Sequence, residues 1–347
     1  MSDEELEKLN IVEIGRPYVK CALPRTRCFA SHGGDPTAKS TFEPLSKLSS
    51  ALRSPELDLV VCHPQSNNPW SWRWWIRSIG NRRILRGYMP FTSMLAPQIL
   101  RWKMNVPLAV VDLEDTRFIR REDLFLLDRA HFWFKRELPV DRWQAFMRTD
   151  HYSVPSGRYR SIPRNKKRVE KLHPISLGPP IWSEELLLRE PIETTSDVFF
   201  AGTLEGSSFL RQRGIHELRS LEAKGVRIDI PASRISREEF FHRAAAARLV
   251  WSPEGYGWDC FRHYETPLCW SVPVINQPTI ERYCPLLHGL HAFYYDPEEG
   301  GLTKTIMEAL TDSKRLESMA AEANAHVKKH HLIRQLVRYL VVTTLGS

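Results

Sequence analysis

Apolar and polar positions along this chain alternate between two periods. From about residue 42, stretches with apolar residues three or four apart are each followed by a short unbroken apolar run of strand length. The first such pair predicts a helix over Phe42–Leu52 and a strand over Leu57–Val61. A helix over Ser93–Met104 then precedes a strand over Pro107–Val111 that ends on Asp112, and a helix over Arg121–Asp128 precedes a strand over His131–Phe134. The second half repeats the rhythm. Strands are expected over Asp197–Gly202, Val226–Ile230, Leu249–Ser252, Val272–Ile275 and His291–Tyr295. Helices are expected over Ser208–Ala223, Arg237–Ala246 (opened by Ser236 with Glu239 three residues on), Asp259–Trp270, Leu302–Thr311, Ser313–His330 and Leu332–Leu345. Strands alternating with helices imply parallel sheets, so the fold class is α/β, read as two Rossmann-like domains facing a cleft.

Domain bounds follow from where that rhythm fails. Arg158–Lys171 is strongly basic and Pro174–Glu190 is proline-rich without periodicity, which places the connection near Leu177-Gly178-Pro179-Pro180. The division expected is 1–175, 176–330, and a last helix, 331–347, packing back on the first domain. A length of 347 residues agrees with two cores. Hydrophobic residues at 42% and charged residues at 26% exclude a wholly disordered or fibrous chain. No run approaches the ~20 apolar residues of a membrane span, and the acidic start Met1–Glu5 differs from a basic secretory leader. Six scattered cysteines contain no CxxC pair, so a reduced, cytoplasmic protein is expected.

The net charge of +8 points to anionic partners. Pro69–Arg86 packs four tryptophans and five arginines into eighteen residues, a composition that suits peripheral contact with an anionic membrane face, stacking on sugars or bases, or a core helix with snorkelling arginines. Arg158-Tyr159-Arg160 with Arg164–Arg168 would serve a nucleic-acid-binding protein, but no helix-turn-helix, zinc-finger or RNA-recognition signature accompanies it.

The densest chemistry lies between residues 252 and 275. A strand enters Ser252-Pro253-Glu254-Gly255-Tyr256-Gly257-Trp258, and Asp259 is the expected N-cap of the next helix. Glycines admit a ligand close to backbone, and the first N–H groups of a helix favour phosphate oxygens. Arg262 and Glu265 are three residues apart on one helix face. An arginine takes a diphosphate bidentately and a carboxylate suits the two hydroxyls of a ribose; the plain alternative is an ion pair on a surface helix.

This segment resembles the donor-binding motif of GT-B-fold glycosyltransferases, the exostosin-like and spore-coat-type group in particular, in which a proline-glycine loop leads to an arginine, a glutamate and then a Val-Pro-Val-Ile strand. Asp197–Gly202 followed by Arg211 and Arg213 is similar to the opening of that group's donor domain, and Lys135-Arg136-Glu137-Leu138 to an element of its first domain. Many relatives place seven residues between two glutamates, whereas Glu254 and Glu265 have ten between them, with Thr266 at the usual small position. The resemblance implies a metal-independent hexosyl or related glycosyl transfer from a nucleotide-sugar donor to a glycan, lipid-linked or other hydroxyl acceptor, with no cofactor and no nucleic-acid partner. The donor would be held by Gly202, Arg211, Arg213, Glu254, Gly255, Tyr256, Gly257, Arg262 and Glu265.

Such a transfer needs cations against the leaving diphosphate, where Arg262 leads and Arg211, Arg213 and Lys135 assist. An inverting reaction also needs a base for the acceptor hydroxyl, drawn from Asp112, Glu114, Asp115 and His63, with Asp115 first. His63 and Lys135 are assigned to the acceptor or phosphate side. No zinc spacing, Walker loop or nucleophile elbow occurs. A nucleic-acid-binding protein and a catalytically inactive GT-B carbohydrate-binding module remain the competing classes.

Overall fold

The structure is a computed structural model and describes residues 1–29, 42–64, 96–102, 104–147, 162–180, 190–204 and 208–346. The segments Pro69–Arg86 and Arg158-Tyr159-Arg160 lie outside the described residues, as do parts of the helix expected over Ser93–Met104 and of the proline-rich stretch. The chain divides into two units, Met1–Ile175 with Val337–Ser347, and Ser176–Leu336. Each unit is built on a parallel sheet.

In unit 1 the strands are β1 (Ile11–Ile14), β2 (Arg27–Phe29), β3 (Phe42–Glu43), β4 (Leu59–Cys62), β5 (Leu108–Asp112), β6 (Phe132–Lys135) and β7 (Leu172–Pro174), in the order β3-β2-β1-β4-β5-β6-β7. The runs Leu-Val-Val-Cys and Leu-Ala-Val-Val-Asp are buried throughout, as expected of strands covered on both faces. Val12, Ile14, Val60, Cys62, Val110 and Trp133 join one core cluster. β1 and β2 precede the first element expected from the sequence, and further elements differ from the expectation. Pro44 divides Phe42–Leu52: Phe42–Glu43 joins the sheet edge, and only Leu48–Leu52 is α-helical. Ala96–Arg101 is a 3-10 helix, and the basic stretch contains the helix Pro163–Val169 and is followed by β7. The last helix, Ile333–Leu345, packs on unit 1 from Val337 onward. Tyr339 stands edge-on to Phe134 at 5.4 Å and donates its O–H to the Pro174 carbonyl, and Arg338 holds the Met1 carbonyl and the Asp3 carboxylate.

Unit 2 contains β8 (Ser196–Phe199), β9 (Ile228–Asp229), β10 (Ala247–Trp251), β11 (Val272–Asn276) and β12 (Phe293–Tyr295), ordered β12-β11-β10-β8-β9. Helix Phe209–Glu222 crosses from β8 to β9 and lies so close to the sheet that a Cβ on Gly214 would overlap the Trp251 indole. Both sheets are doubly wound. Strand order reverses between β1 and β4 in unit 1 and between β8 and β10 in unit 2. Ligand crevices form at such reversals, beyond the carboxyl ends of the strands.

Candidate functional site

In unit 2 the loops after β8 and β9 and the helix after β10 enclose a pocket of about 750 Å³ at the strand reversal. Its walls include Phe200, Gly202, Ile230, Arg234, Phe240, Arg262 and Glu265. Arg262 stands in the first turn of helix Phe261–Leu268, and Glu265 follows one turn later on the same side.

Arg262 donates from Nη2 to the Ala201 carbonyl, and its guanidinium carbon lies 5.3 Å from the Phe200 ring centroid and 6.0 Å from that of Phe240. Its Nε is enclosed without a hydrogen-bond partner, and no carboxylate forms an ion pair with it among the described residues. Burial, then the nearby Arg211 cation, lowers its pKa. Arg211, in the first turn of helix Phe209–Glu222, donates from Nε to the Glu254 carbonyl at 2.9 Å and from Nη1 to the Thr203 carbonyl at 3.1 Å. Two guanidinium groups are thus anchored on neutral carbonyls with no acid paired to them among the described residues, an arrangement suited to an anion. Two glycines lie close against these guanidinium groups. A Cβ on Gly202 would come 3.0 Å from Arg262 Nη2, and one on Gly255 would come 3.0 Å from Arg211 Nη2.

Glu265 is buried, and desolvation pushes its pKa up to about 7 although Arg262 pulls it down. Because the folded value exceeds the unfolded one, the bound proton stabilises the fold below pH 4.5, and that contribution is lost as pH rises through 7. Glu265→Gln, which has no proton to lose, should therefore overtake the wild type above pH 5 and stay ahead at pH 8 by about 2 kcal/mol. Melting temperatures at pH 5 and pH 8 measure the change. A gap that does not vary with pH means that Glu265 is ionised at both.

The loop between β10 and this helix is held by residues that the sequence pattern left unmarked. Ser252 Oγ and His263 Nδ1 are 2.7 Å apart, while His263 Nε2 donates to the Trp258 carbonyl at 2.8 Å. Trp258 Nε1 reaches the carbonyls of Asn276 and Gln277. The polar residue Asn276, at the end of an apolar strand, was the available signal.

Several expected site residues take other places. Asp259 is not the helix N-cap; Cys260 is, without a side-chain bond, because the Asp259 carboxylate accepts the Leu177 N–H and the Tyr264 O–H, each at 2.6 Å. The Glu254 carboxylate fastens its loop, accepting from Ser208 Oγ and Asn276 Nδ2 at 3.1 Å. Arg213 lies over the Phe209 ring at 5.9 Å, and neither it nor Arg211 is in the pocket wall. Tyr256 is 82% exposed, and the Gly257 carbonyl accepts the Gly255 N–H.

In unit 1, Lys135 is fully buried with its ammonium 2.8 Å from Asp112, so it is a structural cation rather than one that reaches a ligand. Asp112 also accepts from Trp133 Nε1 and the Glu114 N–H. Glu114 faces Arg16 and Arg120, and Asp115 is tied to Arg136 at 2.6 Å. His63 is buried beside Glu13 at 2.9 Å.

Among the described residues no three His, Cys, Asp or Glu side chains are grouped to hold a metal ion, and no helix is long and apolar enough to cross a membrane.

Two α/β units, each on a doubly wound parallel sheet, define the GT-B fold class. The chain is similar in fold to a glycosyltransferase from Rickettsia africae ESF-5, with a TM-score of 0.55 at 8% identity over 98% of this chain and 100% of that one. It is also similar to the N-terminal domain of Candida albicans trehalose-6-phosphate phosphatase, with a TM-score of 0.50 at 10% identity over 97% and 96% of the two chains. No family model and no curated protein sequence matches it. At these identities the likeness is one of fold.

Proposed function

We propose that this chain is a glycosyltransferase whose nucleotide-sugar donor is held in the unit 2 pocket. The observation that supports the reading is Arg262 in the pocket wall, with no acid paired to it among the described residues and Arg211 nearby, beside a protonatable Glu265 at the strand reversal. In this reading the arginines take the two phosphates and Glu265 takes the ribose hydroxyls. The anomeric carbon's bond to the diphosphate oxygen breaks, the leaving oxygen keeps the electron pair, and the fixed cations offset the charge that develops there. The acceptor class is a hydroxyl on a glycan, a lipid-linked saccharide or a related molecule.

Melting curves with UDP, GDP, ADP, CDP and TDP test the reading without knowledge of the sugar. A bound diphosphate at one hundred times its dissociation constant should add about 2.7 kcal/mol of apparent stability. No shift with any of the five at millimolar concentration contradicts the proposal. A shift equally produced by inorganic phosphate alone reduces the pocket to an anion site.

A further inference from the structure

Unit 1 carries a cavity of about 630 Å³ that the donor reading leaves unused. Its size falls within the ~300–1,000 Å³ of small-molecule sites. Helix Leu48–Leu52 and the 3-10 helix Ala96–Arg101 both contribute to its wall, and it lies where β4 and β5 begin. Leu57 stands two residues before β4 and Val106 two before β5, and the Val60 N–H joins these entering ends by bonding the Pro107 carbonyl at 2.9 Å. The crevice of the strand reversal forms at the other end of the same strands. Leu57 and Met104 give the cavity an apolar side continuous with the unit 1 core. Ser49, Arg53, Ser54 and Asn105 give it a polar one, with no acid in the wall among the described residues. None of these four side chains has a hydrogen bond or ion pair among the described residues.

Trp102 completes the wall and is 70% exposed. A single exposed apolar side chain is ordinary, but this one stands on a fixed backbone. Its N–H bonds the Ile99 carbonyl at 3.2 Å, the Arg101 carbonyl before it accepts from Arg129 Nη2, and the Arg101 guanidinium lies on the Phe125 ring at 4.0 Å. The indole is therefore held at the cavity rather than carried on a loose end.

A large flat apolar face beside unpaired hydrogen-bonding side chains suits a ligand that has an apolar face and a polar edge of its own. A sugar ring has both, with C–H bonds on its face and hydroxyls around its edge. Hydroxyls donate and accept, and the wall answers with two serine hydroxyls and an amide that do both and a guanidinium that donates. A phosphate-rich ligand would find one cation there, and a cationic ligand no acid. The geometry points to this cavity as a saccharide-binding site, with a sugar ring stacked on Trp102 and its hydroxyls held by Ser49, Arg53, Ser54 and Asn105. The ligand class rests on the glycosyl-transfer reading. Because the cavity lies at the entering ends of the strands, it retains a distant part of a long glycan acceptor and not the hydroxyl that reacts.

Electrophoresis of the full chain toward the cathode, through native gels containing glycogen, mannan, xylan, dextran or hydroxyethyl cellulose, tests the assignment. At least one of the five should retard the wild type. Trp102→Ala should weaken the apparent affinity for that polysaccharide by roughly 30-fold. Asn105→Ala should weaken it by about threefold to tenfold. Trp102→Phe, which keeps a face to stack on, should retain part of the retardation. All three variants should keep the wild-type melting temperature and its rise with nucleoside diphosphate, since both positions are exposed. If Trp102→Ala does not fold, Asn105→Ala decides. Retardation by none of the five, or equal retardation of the wild type and Trp102→Ala, overturns the inference, and an intact diphosphate effect then leaves the donor reading standing. Trp102-dependent retardation by polyuridylate or polyadenylate and by no polysaccharide also overturns it and makes the cavity a base-stacking site. Trp102-dependent retardation by a polysaccharide without any diphosphate effect keeps the saccharide site and removes the donor reading.

Discussion

Arg262→Met should weaken nucleoside diphosphate binding by about 100- to 1000-fold while leaving the melting temperature equal to or above that of the wild type. The two effects have opposite signs for one reason. The guanidinium is a desolvated cation with a backbone carbonyl, two aromatic rings and a second arginine around it, and no acid pairs with it among the described residues. Such a charge costs folding free energy, and an apolar side chain of similar volume in its place is often neutral or stabilising. Methionine keeps the contact with Phe200 and Phe240. The bound diphosphate, in contrast, loses one or two charge-assisted hydrogen bonds, each worth about 1.5–3 kcal/mol, and its Coulomb partner. Calorimetric titration with the diphosphate that most stabilises the wild type measures the loss, and a melting curve measures the stability. Arg213→Met, whose guanidinium lies over Phe209 outside the pocket wall, serves as the control. Wild-type affinity in Arg262→Met would remove Arg262 from the donor site, and a collapse in melting temperature would make it a structural residue.

Below pH 6.5, unit 2 should lose stability through His331. The ring is buried, with Nδ1 2.8 Å from Ser176 Oγ and Nε2 donating to the Cys284 carbonyl at 2.9 Å, a carbonyl that also takes the Nε2–H of His326. Tyr264 packs on it at 4.7 Å and His326 stands 5.5 Å away. Burial first, then the neighbouring His326, pushes its pKa from 6.5 down to about 3. A base held neutral in the fold but free to charge when unfolded contributes stability above pH 6.5 that is lost as pH falls toward 3. At roughly 1.4 kcal/mol for each pH unit, the loss approaches about 5 kcal/mol. His331→Gln can still donate to the Cys284 carbonyl and has no ring to protonate. Expected is a variant about 2 kcal/mol less stable at pH 7.5 whose deficit shrinks with acid and vanishes between pH 5 and 4. Urea midpoints at pH 7.5, 6, 5 and 4 follow the difference, in which the carboxylates common to both proteins cancel. A deficit constant over that range would show that His331 is not the acid-sensitive group.

Much of the second sheet was legible in the sequence because its elements are locally consistent. Ser313–His330 has the bounds expected, with Asp312 accepting the Arg315 N–H at its start and apolar residues at helical spacing along it. The α/β class followed from apolar runs such as Leu59–Cys62 and Leu108–Asp112. β1 was not legible, since Glu13 interrupts its apolar run and the donors that compensate for it come from Val19, Lys20 and a histidine fifty residues away. The pocket's arginine and glutamate were visible as an i, i+3 pair, whereas the Phe200 and Phe240 rings beside the guanidinium had no local signature.

By itself, then, the sequence determined the alternation of strand and helix, the parallel sheets and the spacing that puts residues 262 and 265 on one face, because these depend on periodicity within a few turns of chain. The tertiary structure alone decided which polar residues are free to act. Lys135 ends a strand, Asp115 follows one and Arg262 opens a helix, yet only folding decides that the first is sealed against Asp112, the second is tied to Arg136, and the third lines a pocket with no acid paired to it among the described residues. Whether a charge is neutralised depends on which distant strand ends folding brings within about 3 Å of it, and no local pattern encodes that distance.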